Sequence, residues 1–311
     1  MDLLPITQML TQFNYDNIRV LHIEPTTTCN AACPQCARMN PELYVHEQHA
    51  SELRLNQVQQ LVPDQLIRQL DKMFMCGNFG DPAAAKDTLQ IYQYFRAVNS
   101  KIILGMNTNG GLRTKYWWQE LANNMKNELD YVVFSIDGLE DTNHIYRAGV
   151  QWDILMANAE AYIAAGGTAH WDMLIYEHNE HQVDACRELA RGMGFTRFRT
   201  KVSSRFQERP IEWLRPPQGY TELSAGNTIS CHALKEQSIY ITATGAVLPC
   251  CFFGSDIFST YMPWSNPVLR EQVDSFNSIV TEPDAVCKRH CSVTQDKTAF
   301  QEQWKSEEAL C

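Results

Sequence analysis

Three cysteines near the N-terminus have the spacing of a metal site. Cys29, Cys33 and Cys36 follow a β-rich run in the pattern C-x3-C-x2-C. A structural zinc site takes four ligands, usually in paired C-x2-C knuckles, whereas a 4Fe-4S cluster is held by thiolates, normally four of them. Three thiolates leave one iron open, and an open coordination position is typical of a catalytic metal centre. The spacing therefore predicts a catalytic iron–sulfur site, with zinc as the alternative.

A second group of cysteines lies in the C-terminal part of the chain. Its members are Cys231, Cys250, Cys251, Cys287, Cys291 and Cys311. Residues 1–5 lack the layout of a signal peptide, and no stretch is long and apolar enough to cross a membrane. We therefore expect a cytoplasmic protein, in which dense cysteine favours metal or redox chemistry over disulfides. The net charge of -10 argues against a nucleic-acid partner that covers the whole protein.

The chain between the two cysteine groups alternates between β-rich and helical runs. The strand candidates are 19–24, 72–76, 101–106, 131–136, 168–175 and 196–202. The helix candidates are 64–70, 88–98, 115–125, 152–165 and 182–193. Such alternation indicates parallel βα units and the α/β class. Six units are too few for an eight-fold barrel, so we expect an open, partial (β/α)6 TIM-like barrel over 18–202, after an N-terminal extension at 1–17.

The composition changes after residue 202. Residues 203–227 are rich in Arg, Pro and polar residues, which indicates a connector. Runs 238–243 and 246–252 flank Thr244 and Gly245, a pattern that predicts a β-hairpin. This hairpin opens a small C-terminal domain over 228–311. A domain of that size with little apolar periodicity needs a staple such as a metal cluster.

The first cysteine motif resembles the signature of the radical S-adenosylmethionine (SAM) superfamily. In that family the open iron binds SAM, and one electron splits SAM into methionine and a 5′-deoxyadenosyl radical. Segments at the ends of three strands are similar to family segments that reach SAM: residues 79–82 to its Gly-Gly-Glu-Pro segment, 107–110 to its "TNG" segment and 135–138 to its "SIDG" segment. Phe79 and Asp81 depart from the first pattern, and all three segments also read as turns, because they hold turn-forming residues. The resemblance implies SAM contacts from Gly80, Asp81, Asn107, Asn109, Ser135, Asp137 and Arg147.

The second cysteine group resembles the opening of a SPASM or twitch domain, a C-terminal extension of many radical SAM enzymes. Cys231, Gly245 and Cys250 have the spacing C-x13-G-x4-C. The resemblance implies an auxiliary 4Fe-4S cluster, completed by Cys287 and Cys291. A complete SPASM domain has a further C-x2-C pair, which this sequence lacks, so we expect one auxiliary cluster. Cys251 competes with Cys250 as a ligand, Cys311 has no assigned role, and a zinc ribbon is the alternative for four thiolates.

The resemblance implies hydrogen abstraction from a substrate carbon by the radical. We expect an oxidative modification of a small, polar, sugar-like substrate, assisted by the auxiliary cluster. The alternative is a maturase that modifies a ribosomally made peptide; no N-terminal domain similar to a leader-binding domain accompanies the barrel. A second alternative is a non-catalytic iron–sulfur or zinc protein. The family also implies a reductant partner such as flavodoxin or ferredoxin.

Two groups of charged residues have more than one interpretation. On the sixth strand Arg197, Arg199 and Lys201 occupy every second position, so they share one face, and Phe198 and Val202 lie on the other. If this face lines the barrel lumen, the substrate is anionic, and if the strand is an edge, its charges face solvent. Arg205 and Arg209 continue the series. On the first strand His22 and Glu24 share a face, so Glu24 either lines the substrate cavity or is a hydrogen-bonded core residue.

Overall fold

The structure is a computed structural model that describes residues 12–42, 50–222, 224, 226, 228–256, 269–294 and 308–310. Residues 1–11 of the predicted extension and Cys311 lie outside the described residues.

Six parallel strands, paired in chain order, form the centre of the fold. They are β1 (Val20–Ile23), β2 (Lys72–Met75), β3 (Ile103–Thr108), β4 (Tyr131–Ser135), β5 (Ala169–Ile175) and β6 (Arg197–Val202). Each of them begins and ends within two residues of a predicted strand. Their outer faces carry the apolar residues expected of a buried parallel sheet, for example Leu21, Met73 and Leu104.

Helices connect the strands. They are α1 (Leu55–Leu61), α2 (Asp64–Gln69), α3 (Thr88–Val98), α4 (Lys115–Asn124), α5 (Glu140–Tyr146), α6 (Trp152–Ala164), α7 (Val183–Met193) and α8 (Arg205–Glu208). The five predicted helices are confirmed. Of the others, α1 and α5 span only seven residues each, too few for a clear apolar periodicity. A layer of buried aromatic rings joins the helices to the sheet. In this layer the ring centroids of Trp118 and Phe134 are 5.2 Å apart.

The C-terminal part consists of short elements. They are β7 (Thr228–Ile229), α9 (His232–Glu236), β8 (Ser238–Ile241), β9 (Val247–Leu248), α10 (Cys251–Asp256), α11 (Leu269–Ser275), α12 (Asn277–Thr281), α13 (Ala285–Cys291), β10 (Ser292–Val293) and β11 (Glu308–Ala309). The predicted hairpin is confirmed: β8 and β9 are antiparallel around Gly245, whose φ is +83°. Its second strand ends earlier than predicted, because α10 begins at Cys251.

The hairpin belongs to the same sheet as the barrel, which the sequence did not indicate. Strand β8 pairs in parallel with β1, while β11 pairs antiparallel with β6. Among the described residues the strand order of this sheet is β11-β6-β5-β4-β3-β2-β1-β8-β9. The barrel therefore opens between its first and sixth strands, and the C-terminal part extends both sides. No helix in the described part of the chain is long and apolar enough to span a bilayer.

Candidate functional site

The loop after β1 brings three thiols to the C-terminal ends of the strands. Its backbone is anchored on the segment after α5, because Ala32 N donates to the carbonyl of Ala148 at 2.7 Å. Within the loop, Cys36 N donates to the carbonyl of Cys33 at 2.9 Å, which closes a turn. The thiol of Cys33 is buried, and those of Cys29 and Cys36 are half-buried. This is the end of a parallel barrel at which active sites are built.

Polar groups from neighbouring strands surround these thiols. Asn109, just after β3, donates from Nδ2 to Cys29 Sγ at 3.5 Å. Arg147, at the end of α5, donates from Nη1 to Cys33 Sγ at 3.8 Å. The thiol of Cys36 donates to the carbonyl of Asn78 at 3.5 Å. Donors directed at sulfur stabilise thiolates and tune iron–sulfur centres.

The electrostatics of the three thiols favour a bound cation. Burial, together with the nearby Asp81, Cys33 and Cys36, raises the pKa of Cys29 to about 12. The thiols are therefore close enough for their thiolates to repel each other, and a metal centre removes that penalty. Among the described residues, no three His, Cys, Asp or Glu side chains could hold a single metal ion. Three cysteine thiolates from one loop would suit a 4Fe-4S cluster with one open iron.

Asp81 holds the ends of β2 and β3 together. Its carboxylate accepts hydrogen bonds from Asn109 N at 2.7 Å, Ala83 N at 2.9 Å and Thr108 Oγ1 at 2.9 and 3.0 Å. Burial raises its pKa, although these hydrogen bonds oppose the shift. The preceding Gly80 lies against the loop after β1, where a Cβ would overlap the carbonyl oxygen of Thr26. The Asp81 side chain thus positions Asn109 beside Cys29.

Asp137 and Arg147 form a buried pair beside Cys33. Arg147 Nε donates to Asp137 Oδ2 at 2.7 Å, and Leu174 N donates to Oδ1 at 2.6 Å. Burial alone would lower the pKa of Arg147, but Asp137 and Cys33 raise it well above its ordinary value. The guanidinium therefore stays charged. Asn107 and Ser135, at the ends of β3 and β4, are half-buried.

Two of the three cationic side chains on β6 are largely buried. The side chains of Arg199 and Lys201 are 13% and 7% exposed, whereas Arg197 is exposed. Strand β11 pairs with Arg197 and Phe198 of β6. The burial of Arg199 and Lys201 contradicts the alternative in which the charged row faces solvent. The sequence analysis missed their partner Asp172, which lies opposite Arg199 in the register of β5 and β6.

Asp172 binds both cations. Arg199 donates from Nε at 2.9 Å and from Nη2 at 2.8 Å, and Lys201 also contacts this carboxylate. Burial raises the pKa of Asp172, but the two cations lower it below its ordinary value overall. A single charged residue inside the apolar strand 169–175 is the signal that could have revealed this cluster.

Glu24 is a hydrogen-bonded core residue. Its Oε1 accepts from Phe79 N at 2.7 Å and from Gly80 N at 3.2 Å, and Tyr240 of β8 donates to Oε2. The neighbouring His22 stacks on Phe74 at 4.3 Å between ring centroids. Burial lowers the pKa of His22 to about 4, so its ring is neutral. Both residues connect β1 to β2 and β8.

The C-terminal cysteines surround a separate cavity of about 290 Å³. Cys231, Cys250, Cys287 and Cys291 all line it, together with apolar residues such as Phe253. Burial, with smaller contributions from Cys231 and Cys287, raises the pKa of Cys250 to about 11. Four cysteines that line one apolar cavity match the number of ligands that a second cubane takes.

Cys251 points away from this cavity. It is not among the cavity-lining residues of the described chain. Burial raises the pKa of its thiol, and Cys250, Cys76 and Glu24 contribute to the shift. Cys251 is therefore close enough to Cys76, at the end of β2, for the two thiols to interact electrostatically.

Comparison with solved structures shows the fold of radical SAM enzymes. SuiB from Streptococcus suis, bound to the precursor peptide SuiA, matches with a TM-score of 0.58 and 14% identity, over 87% of this chain and 76% of SuiB. anSMEcpe with bound AdoMet matches with a TM-score of 0.57 and 14% identity, over 92% and 94%. BtrN in complex with AdoMet and 2-DOIA matches with a TM-score of 0.50 and 13% identity, over 89% and 94%.

These likenesses confirm the predicted α/β partial barrel. No protein-family model and no curated protein matches the chain.

Proposed function

We propose that this chain is a radical SAM enzyme that abstracts a hydrogen atom from a substrate carbon. The observation that supports this most directly is the convergence of three thiols at the C-terminal ends of the barrel strands, with Asn109 and Arg147 donating to two of the sulfurs. A 4Fe-4S cluster bound by Cys29, Cys33 and Cys36 would supply the electron that cleaves SAM. Flavodoxin or ferredoxin is the class of reductant that suits this chemistry.

The residues around the thiols have distinct proposed roles. Asn109 and Arg147 fix two cysteine side chains and supply hydrogen bonds to sulfur, which tune such a centre. Asp81 and Asp137 hold these donors in place through buried hydrogen bonds. The backbone at Gly80 and the half-buried polar groups of Asn107 and Ser135 are available for SAM. Replacing Ser135 with Ala should raise the SAM concentration required for half-maximal cleavage without loss of iron.

We assign Cys231, Cys250, Cys287 and Cys291 to an auxiliary 4Fe-4S cluster. The shared cavity supports this set, and the orientation of Cys251 supports Cys250 as the ligand of the adjacent pair. Such a cluster would supply an electron acceptor, which suits an oxidative reaction.

For the substrate we propose a small polar molecule that carries an acidic group. Arg199 and Lys201 bring two buried cations to one carboxylate, that of Asp172. Arg forks and ammonium groups bind carboxylates and phosphates. BtrN, whose structure contains 2-DOIA, is an example of this fold with a small ligand.

A peptide substrate is the second candidate. SuiB binds the precursor peptide SuiA, and anSMEcpe binds the Cp18Cys peptide. The connector crosses the cysteine loop, because Gln35 Nε2 donates to the carbonyl of Arg209 at 3.2 Å. The exposed Trp213 on this connector is a surface that a peptide could contact.

Anaerobic incubation with SAM and dithionite tests the proposed class. The wild-type protein should release 5′-deoxyadenosine, and Cys33→Ala should not, because the cluster loses one of three anchors. Cys186→Ala is the matched control, since Cys186 is equally buried but lies in α7, outside both sites. Cleavage of SAM by Cys33→Ala would contradict the proposal, as would no cleavage by the reconstituted wild type.

A further inference from the structure

One asparagine contacts both cysteine sites. Asn78 lies in the loop that follows β2. While Cys36 is protonated, its thiol donates a hydrogen bond to the backbone carbonyl of Asn78 at 3.5 Å, and binding of iron removes that proton, so this contact changes with metal at the first site. The side-chain amide of Asn78 donates to the carbonyl of Cys251 at 2.7 Å. Because Cys251 directly follows Cys250, Asn78 joins a cysteine of the first site to the peptide unit beside a cysteine of the second.

The surroundings of Asn78 leave it little freedom to move. Its amide also donates to Tyr240 Oη at 3.2 Å, and Tyr240 in turn donates to Glu24. Glu24 accepts from the backbone N–H of Phe79, the residue after Asn78, at 2.7 Å. Helix α10 packs directly on the amide, since a Cβ at Gly254 would lie 3.0 Å from Asn78 Nδ2. Close-packed groups transmit displacements, so a shift of Asn78 moves β8 or α10.

We infer that Asn78 is a positioning residue that couples the two cysteine sites, so that a metal centre at one site changes how firmly the other holds its own. This inference rests on the proposed function, because it requires iron at both sites. The coupling is reciprocal by thermodynamic necessity, and couplings of this kind typically change affinity by about fivefold to 150-fold. Asn78 itself belongs to neither predicted ligand set.

The test is a double-mutant cycle on the full chain. Anaerobically reconstituted protein is challenged with an iron chelator and pulsed with an alkylating reagent. Peptide mass spectrometry then follows alkylation of Cys231 and Cys287, which reports iron loss from the C-terminal site. The release rate is measured with the first site intact and with the triple change Cys29→Ala, Cys33→Ala and Cys36→Ala, each with Asn78 and with Asn78→Ala.

With Asn78 present, removal of the first site should change the release rate at the second by at least about fivefold. With Asn78→Ala the change should fall below about twofold, which is the range of additive, uncoupled effects. Asn78→Asp keeps the size of the side chain but lacks the amide donors, so it should behave like Asn78→Ala. Asn99→Ala is the control, because Asn99 likewise donates to two backbone carbonyls, at 3.0 and 2.9 Å, between α2 and α3.

Three results would overturn the inference, and they are distinguishable. Undiminished coupling in Asn78→Ala, with iron at both sites, would refute the role of Asn78 and leave the proposed function intact. Loss of iron from both Asn78 variants before the challenge, but not from Asn99→Ala, would make Asn78 a folding residue. Absence of iron at the C-terminal cysteines of the wild type would refute the auxiliary site, and the inference with it.

Discussion

The two cysteine sites are assembled from very different lengths of chain. The first takes its three thiols from a single loop between residues 29 and 36, and its surrounding donors from the ends of neighbouring strands. The second takes its four thiols from segments between residues 231 and 291, which pack together through buried residues such as Leu248, Phe253 and Val286. The first site therefore depends on local sequence and barrel geometry, whereas the second depends on long-range packing.

Separate removal of the two sites gives the largest expected effect. Two cubanes hold about eight irons per chain, so the triple change at Cys29, Cys33 and Cys36 should leave about half. The pair Cys231→Ala and Cys287→Ala should also leave about half, but it should retain SAM cleavage that the triple variant loses. Iron analysis and 5′-deoxyadenosine assays measure both. If the triple variant contains zinc and no iron, the C-terminal cysteines form a zinc ribbon and not an auxiliary iron–sulfur cluster.

Loss of the ion cluster inside the barrel should lower the free energy of unfolding. Asp172→Asn leaves Arg199 and Lys201 without their carboxylate, and breaking a buried pair typically lowers the free energy of unfolding by about 3–5 kcal/mol. Denaturant unfolding measures this loss. Asp184→Asn, which removes an exposed carboxylate paired with Arg187, is the control and should have little effect. A stability equal to wild type in Asp172→Asn would show that the cations have other sufficient partners.

The same cluster predicts a pH dependence. The pKa of Asp172 is lower in the folded protein than its ordinary value of about 3.9. Its stabilising contribution is therefore complete above that ordinary value and is lost as the pH falls through the lower, folded-state pKa. Between these two values wild type should lose stability with falling pH more steeply than Asp172→Asn, which lacks the titrating group. Parallel curves would contradict this assignment.

The backbone contact below the first site gives a smaller effect. Gly80→Ala places a Cβ on the carbonyl oxygen of Thr26, so the loop after β1 must move. Overpacking of this kind typically costs about 1–3 kcal/mol, and thermal unfolding should detect it. Gly192→Ala in α7 is the matched control, because no atom lies within 4 Å of the added Cβ. There alanine should stabilise the helix by about 0.5–1 kcal/mol.

Much of the barrel could be predicted because its signals are local. Strand and helix boundaries followed from alternating apolar runs, and Cys29, Cys33 and Cys36 were recognisable by spacing alone. The pairing of β8 with β1 was not predictable, because nothing in the composition of 238–243 encodes its partner. Asp172 was missed for the same reason, since its significance depends on the register between β5 and β6.

The adjacent cysteines of the second site give the sharpest test of its geometry. Cys250 lines the cavity of about 290 Å³, whereas Cys251 is close enough to Cys76 for their thiols to interact electrostatically. Cys250→Ala should therefore remove about half of the iron, because one of four anchors of a cubane is lost. Cys251→Ala should keep all of the iron and the SAM cleavage, at a cost of about 1 kcal/mol, the typical effect of a point substitution. Equal iron loss in both variants would show that the segment around α10 rearranges when the site binds metal.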